Sequence, residues 1–397
     1  MLQPEQLILP MINNFVQGMP ALPFGVPTFG VPTVNNVSNS IQMHTPPNAD
    51  KRAISYAADH GGCGFWRIHW PETLINSHQL GVVTNATFML TDARYYQGVR
   101  SVKVQRQVTP PQLEFVKFLR KLANDFKFKL YYEIDDVIFP EDIPVYNKAR
   151  DAFLDPVIKN TALEIIKLCD YVTSPTEFMG TYYTQRTGVP SIVIPNYMPK
   201  FWIDRFYNKS KIVERYDRHK KRPRIGYVGS PTHLNIARVP DAQDDIYPHL
   251  SLIRKTCKEF KWVFMGGVPY ELLDLVKSGD VESAPWTALY NYPYVYDNLE
   301  LTLAIAPLQN NNFNLAKAPI KFLEAGALGI PCICQDLEPY KIAHLRFQTP
   351  EELYAKIKSL TSNRQHYLTE SDKARKTATQ YWLEDHIEEH AKVYFTS

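Results

Sequence analysis

Asn312-Phe313-Asn314-Leu315-Ala316-Lys317-Ala318-Pro319-Ile320-Lys321-Phe322-Leu323-Glu324-Ala325-Gly326 is the stretch on which the reading of this chain turns. A helix starting near Ala318 places Lys321 and Glu324, three residues apart, on one face, with Lys317 beside its N-terminus. Lysines at a helix N-terminus suit a diphosphate, and a carboxylate one turn on suits ribose hydroxyls. A solvated Lys–Glu pair is the plainer alternative. The stretch lies between two apolar runs, 301–308 (LTLAIAPL) and 331–335 (PCICQ), that read as strands. Cys332 and Cys334 would share one face of the second strand, packed in a core.

The same strand–helix alternation extends in both directions. Upstream come RIGYVG (224–229), a helix near 245–260, WVFMGG (262–267) and a helix near 269–278; downstream a last helix covers about 366–394. An earlier series runs AISYAA (53–58), a helical FWRIHWPETLINSH, VTNATFML (83–90), a helix over 111–126, KLYYEI (129–134), ALEIIKLC (162–169), YVTS (171–174), a helix from Thr176 and SIVIPN (191–196). Alternation of this kind implies parallel sheets covered by helices on both faces. Two such units in succession imply a cleft between facing loop sets at the strands' C-terminal ends. Between them lies Lys209–Arg224, with eight Lys or Arg and two acidic residues, which reads as a basic linker. The expected organisation is an extended Pro/Gly-rich arm over 1–50, with FGVPT repeated at Phe24–Thr28 and Phe29–Thr33, a first α/β domain over 51–198, the linker over 199–224, a second domain over 225–375 and a C-terminal helix over 376–397.

Each unit opens on a strand that runs into glycine. The first gives Asp59-His60-Gly61-Gly62-Cys63-Gly64, the second Gly229-Ser230-Pro231-Thr232-His233. Glycine lets backbone amides approach an anion, although a plain tight turn has the same composition. Neither loop matches the dinucleotide or P-loop glycine pattern, which disfavours hydride transfer and ATP hydrolysis. The 397 residues carry a net charge of +3, too small to require or exclude nucleic acid. No run of about 18 apolar residues is present, the start lacks a basic signal-peptide region, and five scattered cysteines suggest a reducing compartment. His386 and His390 read as a solvated helix face, with no structural zinc.

At this point the sequence resembles a known family, the retaining GT-B glycosyltransferases. One branch carries Phe-Asn, two lysines and Leu-Glu spaced as Phe313-Asn314, Lys317, Lys321 and Leu323-Glu324 are here, followed by AGALGIP. Gly229–His233, Glu133-x-Asp135-Asp136 and Pro195-Asn196 also match, in order, over residues 53 to about 390. The resemblance implies two Rossmann-like domains facing a central cleft, a C-terminal helix crossing back, and a UDP-sugar donor with no tightly bound cofactor. It implies that Glu324 binds the ribose, that Lys317 holds the diphosphate with Lys321 as a second candidate, and that Gly229 and Ser230 offer amides; Asn314 and His233 join them as donor-site candidates. His233 could equally cap a helix. Many members have a glutamate eight residues before the ribose-binding one, where this chain has Ala316. Candidate groups to assist the attacking hydroxyl are Asp59, His60, Glu133, Asp135 and Asp136, with Gly61, Gly62 and Gly64 as a first glycine loop. Asp135 and Asp136 end a strand, so at most one faces the cleft; a Mg²⁺ ion there is admitted and not required. A glycosidase carboxylate pair would leave the lysines unexplained.

GGCGFWRIHWP, VQRQ, YEIDDVIFPEDIPVYNKAR and the Gly229–His233 stretch are similar to glycosyltransferases of T-even-type phages, some of which add glucose or arabinose to 5-hydroxymethylcytosine in DNA. This implies double-stranded DNA as partner and the infected cell's cytoplasm as location. Arg67 would contact the acceptor, and Arg94, Arg100, Lys103, Arg106 and the linker would meet phosphates; an ordinary solvated surface is the alternative. Trp66 and Trp70 are expected to be partly core. The alternatives in function are transfer to a polysaccharide, lipid-linked glycan or small molecule, and a non-catalytic nucleotide-sugar- or DNA-binding module.

Overall fold

Residues 50–396 are described in the computed structural model, so the reading of the N-terminal arm lies almost wholly outside the described residues. Two six-stranded parallel sheets carry the structure. The first is built from β1 (Arg52–Tyr56), β2 (Val82–Asn85), β3 (Val99–Gln105), β4 (Lys129–Glu133), β5 (Tyr171–Ser174) and β6 (Ser191–Val193), in the order β2-β1-β3-β4-β5-β6. The second is built from β7 (Arg224–Val228), β8 (Lys261–Met265), β9 (Val281–Ala284), β10 (Leu303–Ala306), β11 (Cys332–Gln335) and β12 (Leu345–Phe347), in the order β12-β11-β10-β7-β8-β9. Strands covered on both faces read as continuous apolar runs, as β10 does with all four residues buried.

In each sheet the winding direction reverses beside the first strand. Two adjacent loops there diverge and leave a crevice at the strands' C-terminal ends. In the first lobe this point lies between β1 and β3, and in the second between β7 and β10. The glycine loops after β1 and β7 and the stretch after β10 therefore all sit at switch points.

Among the described residues the chain crosses between lobes twice. Met198 N–H donates to the Tyr381 carbonyl (2.8 Å), and Leu383 N–H to the Met198 carbonyl (2.8 Å). The helix Leu383–Phe395 then returns to the first lobe, where the Ser101 hydroxyl donates to the Tyr394 carbonyl and the Tyr394 hydroxyl to Glu72. One apolar cluster runs from Trp66, Trp70 and Trp202 through Tyr292 and Leu323 to Leu383 and Ile387, so Trp66 and Trp70 are core.

Several sequence expectations change. The segment read as linker contains the helix Lys209–His219, whose Ile212 and Tyr216 are buried in the second lobe's core. The last helix is three segments, Arg364–Ala378, Thr379–Tyr381 and Leu383–Phe395, because the chain must turn back toward the first lobe. His390 is buried rather than solvated; the helix presses that face against the first lobe. β2 ends at Asn85, well before Leu90, and β3 was not foreseen.

Candidate functional site

The second lobe's switch point gathers the expected donor residues. The helix Ile320–Ala327 starts two residues later than expected, with Pro319 as its N-cap residue, where no N–H is needed by the helix. Glu324 is buried and accepts a hydrogen bond from the Tyr292 hydroxyl (2.6 Å). Burial pushes its carboxyl up to about 7, against the opposing pull of that bond and of Lys321. One turn earlier, burial lowers the Lys321 ammonium to about 8, opposed mainly by Asp245. Lys321 crosses directly over Gly229: a Cβ there would stand 3.0 Å from Lys321 Cε and 2.7 Å from the Tyr227 hydroxyl. Only glycine admits the lysine so close to the turn.

Gly229 cannot offer its amide, which donates to the Met265 carbonyl (3.1 Å) as the sheet ends. The Ser230 amide has no such partner among the described residues. His233 is buried in the 3₁₀ turn Pro231–His233, its Nδ1 at 2.7 Å from Asp245 Oδ2. Asp245 Oδ1 accepts from the Gln309 N–H and the Asn314 side-chain amide.

Lys317 points across the cleft. Its Nζ lies 2.8 Å from Asp136 Oδ1 of the first lobe and 3.8 Å from the Phe313 ring centroid. Phe313 and Ala316 are buried within the first lobe's apolar cluster, which seats this stretch between the lobes. Asn312 donates to Asp142 (2.7 Å) at the same boundary.

In the first lobe the glycine loop holds an anion of its own. Asp59 Oδ1 accepts from the Gly61 and Gly64 amides, and Arg106 pairs with Oδ2 (2.7 Å). A Cβ on Gly64 would fall 1.9 Å from the Asp59 carbonyl oxygen, so the turn needs glycine there. Asp59 thus shapes the loop, and two of the loop's amides are already taken. Gly62 is exposed, and so is His60, which stacks on His69.

Asp135 and Asp136 lie beyond the end of β4, in a bend, so strand alternation does not apply to them. Asp135 Oδ1 is buried without a partner, and burial raises its carboxyl, partly offset by Arg106. The considered Mg²⁺ position has the Lys317 ammonium against Asp136 instead. Among the described residues no group of three or more His, Cys, Asp or Glu side chains is placed to hold a metal.

Three charged residues move from the expected surface into the core. Arg67 and Glu133 form an ion pair at 2.7 Å, each side chain 1% exposed. Arg67 also donates to the Ile194 carbonyl and Asn196, tying the first helix to the domain junction. Glu133 is therefore no catalytic acid or base, and Arg67 no acceptor contact. Lys103 sits on the central strand β3, 1% exposed and 3.8 Å from the Tyr394 ring centroid, so it meets no phosphate. Arg94 and Arg100 are exposed, but they flank the start of β3, at the end of the sheet away from the cleft. Arg106 alone of the five faces the cleft, paired with Asp59. The basic run is largely neutralised: Lys209, Lys211, Arg215, Arg218, Arg222 and Arg224 all pair with carboxylates.

Two participants escaped the sequence reading. Trp286, after β9, is 53% exposed and lies against Gly266 and the Gly229 turn. Tyr292 orients Glu324. A tryptophan just past a strand's C-terminal end was the available signal for the first; nothing local marked the second.

The same architecture recurs in solved structures. Sucrose-phosphate synthase from Thermosynechococcus elongatus superposes with a TM-score of 0.59 at 11% identity, over 87% of this chain and 98% of that one. Anabaena HepE in complex with UDP and glucose gives 0.52 at 12% identity, over 86% and 98%. WaaG, a glycosyltransferase involved in lipopolysaccharide biosynthesis, gives 0.53 at 12%, over 87% and 100%. The chain has the GT-B fold. No family model and no curated protein sequence matches it. As a GT-B chain it places its switch-point loops on the two walls of one cleft, and no helix among the described residues is long and apolar enough to cross a membrane.

Proposed function

We propose that this protein is a glycosyltransferase that moves a sugar from a UDP-sugar to a hydroxyl acceptor, with retention of configuration as the resemblance implies. The observation that carries the reading is the juxtaposition of Lys321, Lys317, the Ser230 amide and Glu324 at one switch point. Cleavage of the sugar–phosphate bond leaves negative charge on UDP. The two ammonium groups and a fixed amide stabilise that charge more in the transition state than in the ground state. Glu324 faces the ribose in this reading, and Trp286 offers a flat wall to the base. HepE is described with UDP and with UDP-glucose, which supports the choice of donor.

For the acceptor, we propose the hydroxymethyl group of 5-hydroxymethylcytosine in DNA. The support is the resemblance of the Gly61–Pro71 and Tyr132–Arg150 segments; Arg106, Asp135 and His60 are the first-lobe groups at the cleft that remain to meet it. The test incubates the protein with DNA containing 5-hydroxymethylcytosine and a panel of UDP-sugars, and weighs the digested nucleosides. A pentose or hexose increment, absent with Glu324→Ala, is the expected result. UDP release without an increment would reject DNA and redirect the search to glycans and small alcohols.

UDP binding should be tightest between about pH 7 and 8, as set by Glu324 and Lys321. Below that window the carboxyl is protonated; above it the ammonium is lost. The sign follows from linkage. The Glu324 contribution to stability is present below its ordinary 4.5 and is lost as pH rises through about 7, whereas that of Lys321 is present above 10.5 and is lost as pH falls through about 8. Inside the window both are charged in dry surroundings, and a ligand bearing phosphate and hydroxyls relieves that penalty. Calorimetric titration across pH checks this: Glu324→Gln should remove the acid limb and Lys321→Arg the alkaline limb.

A further inference from the structure

His233 and Asp245 form a buried dyad that the donor reading so far leaves without a task. Burial, with Lys321 adding to it, lowers the imidazole to about 4, so the ring is neutral at physiological pH. Its Nδ1 sits 2.7 Å from Asp245 Oδ2, and a carboxylate can only accept, so the proton is on Nδ1. Nε2 is then a lone pair with no partner among the described residues, held in a fixed direction. Asp245 is itself fixed by the Gln309 N–H and the Asn314 amide, so the dyad is rigid. In the same cluster the Asn314 Oδ1 and the Tyr227 hydroxyl are buried without partners. Buried polar atoms left open in this way are uncommon, and beside them Nε2 is the lone pair that a ligand group can meet.

Position decides what that group is. Glu324, Tyr292 and Trp286 form one contiguous group, and His233, Phe313 and Lys317 a second. Lys321 is near both, one turn before Glu324 and close enough to His233 to help depress its ring. If the nucleoside occupies the first group and the diphosphate lies at Lys321, the sugar falls to the second. A phosphate oxygen has no hydrogen to give a neutral Nε2, whereas a sugar hydroxyl has one. Ala316 is a buried methyl packed against the first lobe and offers the sugar nothing.

We propose that His233, positioned by Asp245, accepts a hydrogen bond from a hydroxyl of the donor sugar and so helps to set which sugar this protein takes. The proposal rests on the donor-site reading above. Its test measures the affinity of UDP and of UDP-glucose, UDP-galactose, UDP-xylose, UDP-arabinose and UDP-N-acetylglucosamine for three proteins. Wild type establishes the preference among sugars relative to UDP. His233→Phe keeps a flat ring and removes the lone pair; it should bind UDP within about twofold of wild type and lose about tenfold of the preference for the best sugar. His233→Gln returns a carbonyl acceptor and should recover part of that preference, which a purely structural role would not do. Equal weakening of UDP and every UDP-sugar in His233→Phe would make His233 a phosphate contact and overturn the proposal, as would an unchanged preference. Failure of the wild type to bind UDP at all would instead overturn the donor site, and this inference with it.

Discussion

Replacing Lys317 by alanine is expected to lower sugar transfer by about 10²–10³-fold, the usual loss when one preorganised group facing developing charge is removed. Fold and stability should change little, because Lys317 is partly exposed and its one ion pair, with Asp136, is at the cleft. The same pair makes a second, opposite expectation. In the proposed donor site Asp136 competes with the diphosphate for Lys317, so Asp136→Asn should bind UDP several-fold more tightly. Single-turnover transfer with calorimetric UDP affinities on both variants separates the effects. If Lys317→Ala transfers normally, the lysine only bridges the lobes. If Asp136→Asn binds UDP no better, the carboxylate does not block the site in solution.

Arg67→Ala should destabilise the protein by about 3–5 kcal/mol, the range found when one member of a buried ion pair is removed. Its guanidinium bonds Glu133, Asn196 and the Ile194 carbonyl, all within the core. Without it the Glu133 side chain is left in a dry interior with the Thr173 hydroxyl and the nearby Lys103 to answer it. Thermal or urea unfolding measures the loss. The double variant Arg67→Met, Glu133→Leu should recover a large part of it, since it leaves no lone charge behind. A surface role for Arg67, as expected of an acceptor contact, would instead leave stability within about 0.5 kcal/mol of wild type.

The four central strands of the second sheet, β7, β8, β10 and β11, and the glycine turn after β7 were legible because their signals are local; the edge strands β9 and β12 were not read. Apolar runs alternating with helical periodicity mark strands buried on both faces, and glycine after β7 marks close approach. β3 was not legible for the converse reason. Its run Val-Arg-Ser-Val-Lys-Val-Gln carries polar residues at every second position or closer, the look of an exposed segment. In the fold each buried one has a distant partner: Ser101 the Tyr394 carbonyl, Lys103 the Tyr394 ring, Gln105 the Ala58 amide. Lys209–Arg224 misled in the same way. Six of its basic side chains meet carboxylates between Glu282 and Asp372 or at Asp280, none of them near in sequence.

By itself the sequence determined that there are two doubly wound units and that glycine turns and lysines stand at their C-terminal strand ends, because periodicity and backbone freedom are properties of neighbouring residues. Tertiary structure alone decided which charges face the cleft. It drew Arg67, Lys103 and Glu133 inside, closed Asp59 within its own loop, set Asp136 against Lys317 and gave His233 its carboxylate. A charged side chain takes its role from the dielectric around it and the partner within about 3–4 Å, and both are assembled from parts of the chain that meet only when it folds.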